Sequence, residues 1–248
     1  MIQVPSVIRS CLSIEHSTVR PYPDVAALDV FAPAGPVRAA VLVLHGGRAH
    51  GYGRVHRRRL TYLRMLPFAK ALRHDGVAVH VLRYRYQGWN APHLHPVEDA
   101  RWALSQMPDV PTALVGHSMG GRTALRVADD PHVVAVCALA PWIEPGEPVE
   151  QLAGRSLLIA HGDRERYTDP AQSLKYAVRA RSVTRVARFA VHGDGHAMLR
   201  RAGDWTRLVK DFVHGELKVE PNAPYITNAM YTPEGLDVPL GGTRGGNR

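Results

Sequence analysis

A serine between glycines is the residue of this 248-residue chain best placed for covalent chemistry. Ser118 stands in the run Gly116-His117-Ser118-Met119-Gly120-Gly121, after an apolar run that ends at Val115 and before a helical run that starts at Arg122. A strand followed at once by a helix forces a sharp turn, and a serine at its apex has its hydroxyl lifted above the sheet. Glycines two positions before and after the serine remove the β-carbons that would obstruct this turn. The pattern predicts that Ser118 is a nucleophile that attacks a carbonyl carbon.

An earlier glycine-containing loop is typical of an oxyanion hole. A second apolar run leads directly into His45-Gly46-Gly47-Arg48. Backbone N–H groups of such a loop can approach a ligand closely, and they complement the Met119 N–H at the start of the helix after the serine. We predict Met119 as one oxyanion donor and either Gly47 or Arg48 as the second, with Gly47 preferred.

A general base and an acid are expected after the strands that follow the serine. His196 has a glycine before it and a short apolar segment after it, which is typical of a loop that brings one imidazole over the sheet. His192 lies nearer the strand end and is the weaker candidate. The acid accepts the histidine Nδ1–H and fixes its tautomer. Three carboxylates compete for that role: Asp163, Glu165 and Asp169.

The elements that must position these residues are read from hydrophobic periodicity. Strands are predicted at Ala26–Phe31, Ala39–Leu44, Val77–Leu82, Thr112–Val115, Val133–Leu139, Ser156–Ala160 and Val186–Val191, with a weaker one at Leu12–Glu15. Helices are predicted at Leu60–Arg73, Pro96–Ser105, Met119–Ala128, Ala171–Arg181 and Asp204–Val213. The strands are near-continuous apolar runs, which indicates burial on both faces. The chain is therefore predicted to be α/β, with a mostly parallel central sheet of about eight strands and helices on both faces.

These residues together resemble the α/β-hydrolase superfamily, in which serine, acid and histidine follow one another along the chain. The resemblance runs from about Ala26 to Val213 and is closest to small bacterial esterases and dienelactone hydrolases. In such proteins the acid usually lies three residues after the glycine that closes its strand, here Gly162, and this position is Glu165, where aspartate is the commoner residue. Dienelactone hydrolases use a cysteine nucleophile, so the likeness concerns the scaffold and not the dienelactone substrate.

The resemblance implies hydrolysis of a carboxylic ester or thioester through an acyl-enzyme. Ser118 would be the nucleophile, His196 the general base and Glu165 the acid, with no metal and no organic cofactor. The alternative is an acyltransferase or cyclase that uses the same acyl-enzyme with an acceptor other than water. A non-catalytic binding protein on this fold is the third possibility.

The edge of the predicted sheet also carries aromatic residues. Only the segment 140–148 separates the strand that ends at Leu139 from the next helical stretch. This short connection predicts a minimal lid and an open cleft. Trp89 and Trp142 fall at the same edge, and we expect them either to line the substrate site or to serve as packing aromatics.

Composition limits the partners and the location of the protein. There are 31 basic and 22 acidic residues, and 27 of the basic residues are arginine. The arginines are dispersed and have no stacking aromatics interleaved with them, so a nucleic-acid partner is not expected. The net charge of +9 indicates either a solvated basic surface or a small acyl substrate that is anionic or carrier-bound.

The cysteines and the hydropathy pattern complete these expectations. Cys11 and Cys137 form neither a disulfide framework nor a metal-binding spacing. No stretch is long and uncharged enough to span a bilayer, so we expect a cytoplasmic monomer or homodimer with no membrane partner. Residues 1–215 are predicted to form one domain, and residues 216–248 a C-terminal tail that is partly disordered.

Overall fold

The computed structural model describes residues 26–241, which contain eight strands and seven α-helices. The strands are β1 (Ala27–Phe31), β2 (Ala39–Leu44), β3 (Val77–Arg83), β4 (Thr112–His117), β5 (Val133–Leu139), β6 (Ser156–Gly162), β7 (Arg185–Val191) and β8 (Val238–Leu240). The helices are α1 (Leu60–Leu63), α2 (Leu66–Ala71), α3 (His95–Ser105), α4 (Met119–Arg126), α5 (Pro170–Ala180), α6 (Ala202–Glu216) and α7 (Pro224–Tyr231).

The strands form one sheet in the order β1-β3-β2-β4-β5-β6-β7-β8. β1 pairs antiparallel with β3, and the other neighbouring pairs are parallel. The predicted α/β class with a mostly parallel sheet of about eight strands is therefore confirmed. The weaker strand predicted at Leu12–Glu15 lies outside the described residues.

Alternate side chains of the central strands feed two separate hydrophobic cores. Leu42 and Leu114 point to the face that is covered by α3, α4 and α5. Val43 and Val115 point to the opposite face, which is covered by α2, α6 and α7. Because both faces are covered, these strands need apolar residues at every position, which explains their uninterrupted apolar sequences.

The helix predicted over Leu60–Arg73 is in fact two short helices. α1 ends at Leu63, and α2 begins at Leu66 with Pro67 in its first turn. Proline has no N–H to donate to the preceding turn and disfavours the helical conformation of the residue before it. The apolar periodicity continues across the break, and for that reason periodicity alone predicted one helix.

The boundary predicted at residue 215 and the tail predicted after it need correction. α6 runs through residue 216, α7 follows at Pro224–Tyr231, and β8 adds a parallel strand to β7. Ile226, Ala229 and Met230 are buried against the sheet, with the spacing of one helical face. Residues 217–241 therefore belong to the folded unit, and residues 242–248 lie outside the described part of the chain.

The connections at the carboxyl edge of the sheet are short where the site is expected. Between β5 and β6 the only helical element is a single 3₁₀ turn, Glu150–Leu152, so the predicted minimal lid is confirmed. Within residues 26–241 no helix combines the length and apolar character needed to cross a membrane. Because β2, β4, β6 and β7 run in parallel, the loops that follow them meet at one edge.

Candidate active site

Ser118 occupies a strained turn between β4 and α4. Its φ of 56° and ψ of −118° lie outside the regions that a residue with a β-carbon normally adopts. Its N–H donates to the Leu139 carbonyl at 2.9 Å, and its own carbonyl accepts from the N–H groups of Arg122 and Trp142 at 3.2 and 3.1 Å. These bonds hold the backbone of Ser118 while its side chain stays partly exposed at the edge of the sheet.

The glycines around Ser118 are required by close backbone contacts. A β-carbon on Gly116 would clash with the carbonyl group of Gly120, and a β-carbon on Gly120 would clash with the carbonyl group of Leu44. Since carbonyl groups of neighbouring elements cannot move aside as a flexible side chain can, both positions accept only glycine. The turn therefore has the local geometry expected from the sequence.

His196 and Glu165 are in direct contact, as predicted. His196 Nδ1 donates to Glu165 Oε2 at 2.8 Å, which leaves Nε2 as the acceptor nitrogen. The other carboxylate oxygen, Oε1, accepts the backbone N–H groups of Arg166 and Tyr167 at 2.8 and 2.7 Å. The Glu165 side chain is fully buried, so these donors replace water around its charge.

The hydrogen bonds decide the charge of Glu165. Burial raises the pKa of this carboxyl, but the hydrogen bonds from His196 and from the Tyr167 N–H outweigh it and lower the pKa to about 2. Glu165 is therefore ionised at neutral pH. A buried carboxylate on Nδ1 fixes the tautomer of the imidazole and stabilises an imidazolium.

The rival candidates lie elsewhere in the same loops. Asp163 pairs with Nδ1 of His192 at 2.7 Å and accepts the Gly193 N–H at 2.8 Å. The His192 side chain is 67% exposed and faces solvent. Asp169 caps α5 by accepting the Ala171 N–H. Of the three carboxylates, Glu165 is the one in contact with His196.

Hydrogen bonding also separates the two candidates for the second oxyanion donor. The Arg48 N–H donates to the Gln87 carbonyl at 2.9 Å and is therefore occupied. The Gly47 N–H has no hydrogen-bond acceptor among residues 26–241. Its neighbour Gly46 packs on Ser118, since a β-carbon there would lie 3.3 Å from Ser118 Cβ. The geometry favours Gly47, together with the Met119 N–H in the first turn of α4, where no intrahelical acceptor exists.

Two side-chain atoms of the candidate site make no hydrogen bond to the described part of the chain. Ser118 Oγ and His196 Nε2 have no hydrogen-bond partner within the described residues. Catalytic hydrogen bonds are often long or poorly aligned before substrate binds, and they tighten in the complex. Both groups are therefore free to engage a substrate.

His117 has a role in the site that the sequence did not indicate. This buried imidazole donates from Nε2 to the main-chain carbonyl of His196 at 2.9 Å. Burial and the neighbouring His196 hold its pKa well below the usual value, so the ring stays neutral. In the sequence, His117 is simply the residue after an apolar run. Its contact with the loop after β7 becomes visible only in the fold.

His161 contacts the loop that carries Glu165. It contacts Ser173 Oγ through Nδ1 at 2.9 Å and Thr168 Oγ1 through Nε2 at 3.2 Å. Burial and the nearby Arg188 lower its pKa to about 3. The Thr168 N–H is also directed at Glu165 Oε1, at 3.4 Å. A neutral His161 thus joins the end of β6 to the loop that carries the acid.

The two tryptophans predicted to line the site enclose a cation. The Arg122 guanidinium lies 4.4 Å from the ring centre of Trp89 and 4.7 Å from that of Trp142, and it pairs with the buried Glu147 at 2.7 Å. Trp89 is only 3% exposed and belongs to the core, so it offers little surface to a ligand. Trp142 is half-buried and donates from Nε1 to Glu144. Trp142 is thus the better placed of the two to contact a substrate.

A metal centre has no obvious ligands at this edge. Within residues 26–241 no group of three or more histidine, cysteine, aspartate or glutamate side chains is arranged to hold a metal ion.

Comparison with known proteins identifies what this arrangement is similar to. The model of the alpha/beta hydrolase family matches residues 41–239. A search of curated protein sequences finds no significant match.

Solved structures share the fold at low sequence identity. A protein of unknown function from Agrobacterium tumefaciens, described as a putative alpha/beta hydrolase, is 14% identical with a TM-score of 0.62, over 79% of this chain and 93% of the other. Est1E from Butyrivibrio proteoclasticus is 14% identical with a TM-score of 0.61, over 81% and 98%. The thioesterase domain of the curacin biosynthetic pathway is 13% identical with a TM-score of 0.53, over 79% and 98%. At these identities the likeness concerns the fold.

Proposed function

Because the chain belongs to the alpha/beta hydrolase family, we propose that it is a serine hydrolase that cleaves a carboxylic ester or thioester through an acyl-enzyme on Ser118. The observation that carries the proposal is the contact of His196 Nδ1 with the buried, ionised Glu165, at the same edge of the sheet as the strained Ser118. The names of two structural neighbours, an Est1E protein and a thioesterase domain, agree with this class of chemistry.

The first half of the reaction forms the acyl-enzyme. Ser118 Oγ attacks the carbonyl carbon while His196 Nε2 takes the hydroxyl proton, and Glu165 stabilises the resulting imidazolium. The carbonyl oxygen becomes an oxyanion that accepts hydrogen bonds from the N–H groups of Met119 and Gly47. When the tetrahedral intermediate collapses, the bond to the leaving alcohol or thiol breaks, and His196 gives its proton to that group.

The second half regenerates the serine. His196 Nε2 takes a proton from water, whose oxygen attacks the acyl carbonyl, and the same two N–H groups hold the second oxyanion. Collapse of this intermediate breaks the bond to Ser118 Oγ and returns the proton to it. The carboxylic acid leaves, and no external cofactor takes part.

The open edge of the sheet suits a small substrate, or one that stays partly in solvent when it is bound. The connection between β5 and β6 carries only a single 3₁₀ turn and leaves Ser118 partly exposed. An interfacial lid of the kind that excludes water until a lipid surface is met has no counterpart there.

The proposal is tested by assaying p-nitrophenyl esters and acyl thioesters of short and long chains with the wild type and with Ser118→Ala. Ser182→Ala is the matched control, because Ser182 is exposed and its Oγ bonds only the Arg179 carbonyl. We expect Ser118→Ala to lower kcat by at least about 10⁴-fold and Ser182→Ala to leave it unchanged. Turnover that survives in Ser118→Ala contradicts the proposal.

A second assay tests which acceptor resolves the acyl-enzyme. Primary alcohols and amines are added to the reaction, and a new ester or amide as the main product would make the protein an acyltransferase instead of a hydrolase.

A further inference from the structure

An open groove lies directly beside His196, on the side of the loops after β6 and β7. It has a volume of about 430 Å³. The side chains that line it and matter for its chemistry are those of Arg164, Arg166, Tyr167, His196, Leu199 and Arg200. The groove therefore shares His196 with the site described above.

Three arginines give the groove its charge. Arg164, Arg166 and Arg200 are exposed, and within residues 26–241 their guanidinium groups have no hydrogen-bond or ion-pair partner. The one carboxylate of the lining, Asp194, is buried and turned inward, where it accepts the N–H groups of Gly195 and Arg201 and the Trp205 indole. Three cations thus face the groove with their donors unused.

Exposed apolar surface accompanies this charge. Tyr167 is 84% exposed, and its ring lies 5.3 Å from that of His196. Leu199, on the other loop, is 71% exposed. Large apolar side chains at the surface beside unpaired cations fit an organic anion, which can contact both, better than a free inorganic ion.

The position of His196 indicates which part of a substrate enters the groove. In the proposed reaction His196 protonates the departing alcohol or thiol, so the leaving group must lie next to its imidazole. The proposed oxyanion donors lie on other elements, since Met119 begins α4 and Gly47 lies in the loop after β2. A groove that begins at His196 therefore accommodates the leaving group.

From this arrangement, and resting on the proposed hydrolase function, we propose that the groove binds an anionic leaving group. The preferred substrates are then esters or thioesters of an alcohol or thiol that carries a carboxylate or phosphate. Arg164, Arg166 and Arg200 bind that anionic group through charge-assisted hydrogen bonds, and Tyr167 and Leu199 contact its carbon skeleton.

A pair of matched esters tests the proposal. 4-Acetoxybenzoate and 4-acetoxybenzamide differ in the charge of the leaving group. The kcat/KM value of each ester is divided by its rate of hydroxide hydrolysis, which corrects for the different intrinsic reactivities of the two esters. We expect the wild type to prefer the benzoate by roughly tenfold or more at low ionic strength, with a smaller preference at high salt. In the triple variant Arg164→Gln, Arg166→Gln, Arg200→Gln this ratio should fall towards one. Arg38→Gln, an exposed arginine at the opposite edge of the sheet, should leave it unchanged.

A second pair of esters tests whether the arginines recognise charge on the acyl part of the substrate instead. The phenyl monoester of adipic acid carries a carboxylate on its acyl part, and the phenyl ester of adipamic acid has a neutral amide in its place. An arginine-dependent preference confined to this pair overturns the assignment of the groove to the leaving group, and no arginine-dependent preference in either pair overturns the proposal as a whole.

A binding measurement keeps this test independent of turnover. Ligand-observed NMR with Ser118→Ala compares 4-hydroxybenzoate and 4-hydroxybenzamide, and we expect tighter binding of the benzoate that is lost in the arginine variant. If esters are not hydrolysed in a Ser118-dependent manner, the proposed function fails, while this measurement still decides whether the groove binds organic anions. Equal binding of both ligands contradicts the groove proposal.

Discussion

His117 Nε2 donates a hydrogen bond of 2.9 Å to the main-chain carbonyl of His196. The two ring centres are 4.7 Å apart, and His117 immediately precedes Ser118 in the chain. This bond joins the turn that carries Ser118 to the loop that carries His196. We therefore propose that His117 is a positioning residue, whose effect on the reaction passes through His196.

Loss of this bond is expected to affect kcat more than KM. His117→Ala removes the donor, so the His196 loop can shift relative to Ser118, and a displacement of about 1 Å can cost 10- to 100-fold in rate. We predict a fall in kcat of that size, with KM changed less than about threefold. His117→Gln keeps an N–H donor and should restore part of kcat. Steady-state kinetics on the best ester of the panel checks this, and a kcat within twofold of wild type in His117→Ala contradicts it.

The identity of the acid is tested by a pair of isosteric amides. Glu165→Gln removes the charge that faces His196 Nδ1, and we expect kcat to fall by about 10⁴-fold, as when a triad acid is neutralised. Asp163→Asn weakens the exposed pair with His192, keeps an oxygen to accept the Gly193 N–H, and should change kcat less than about threefold. The reverse ranking would assign the role of the acid to Asp163.

Backbone geometry at the turn predicts opposite outcomes for two glycines. Gly120→Ala places a methyl group against the Leu44 carbonyl, so we expect destabilisation of more than about 4 kcal/mol or failure to fold. Gly203 lies in the first turn of α6 with open space around it, and Gly203→Ala should stabilise the protein by about 0.5 kcal/mol. Urea denaturation measures both free energies of unfolding, and a stable Gly120→Ala protein rules out the packing described here.

The lowered pKa of Glu165 predicts a pH dependence of stability. Its pKa lies at about 2 in the folded protein, below the ordinary value of 4.5, so the folded state binds the proton less tightly than the unfolded chain. The stabilisation that results is fully present above about pH 4.5 and is lost as the pH falls towards 2. The free energy of unfolding of wild type minus that of Glu165→Gln should therefore decrease between pH 5.5 and pH 3.5. A difference that stays constant or increases over this range contradicts the assigned charge.

The fold and the nucleophile turn were predictable because their signals are local. The apolar runs of β2, β4 and β6 need no distant partner to be recognised as buried strands. Gly116 likewise contacts the Gly120 carbonyl within the same turn, whereas Gly120 contacts the carbonyl of Leu44, which is distant in sequence. The sheet, the position of Ser118 and the short connection after β5 could thus be predicted from local sequence.

The partnership of the acid needed three-dimensional information. Asp163 and His192 are also a carboxylate and a histidine, at almost the same spacing as Glu165 and His196, and they contact each other at 2.7 Å. Only the burial of Glu165 and the backbone N–H groups around it distinguish the two pairs. The resemblance to known hydrolases supplied the choice of Glu165 that composition and spacing left open.

The C-terminal segment was misjudged for a compositional reason. The proline, glycine and asparagine content of residues 216–248 predicts a partly disordered tail, but proline starts α7 and a glycine lies in the turn after it. The apolar side chains of α7 are few, and they find enough partners because β7 offers a complementary face. That face exists only once the sheet has formed, so the sequence of this segment alone does not reveal it.

Covalent labelling of Ser118 tests the central claim most directly. The wild type, Ser118→Ala and Ser182→Ala are treated with a fluorophosphonate, and the adduct is located by mass spectrometry of peptides. We expect one adduct, on Ser118, in the wild type and in Ser182→Ala, and none in Ser118→Ala. Equal labelling of Ser118→Ala and wild type would show that another residue is the nucleophile and would contradict the account.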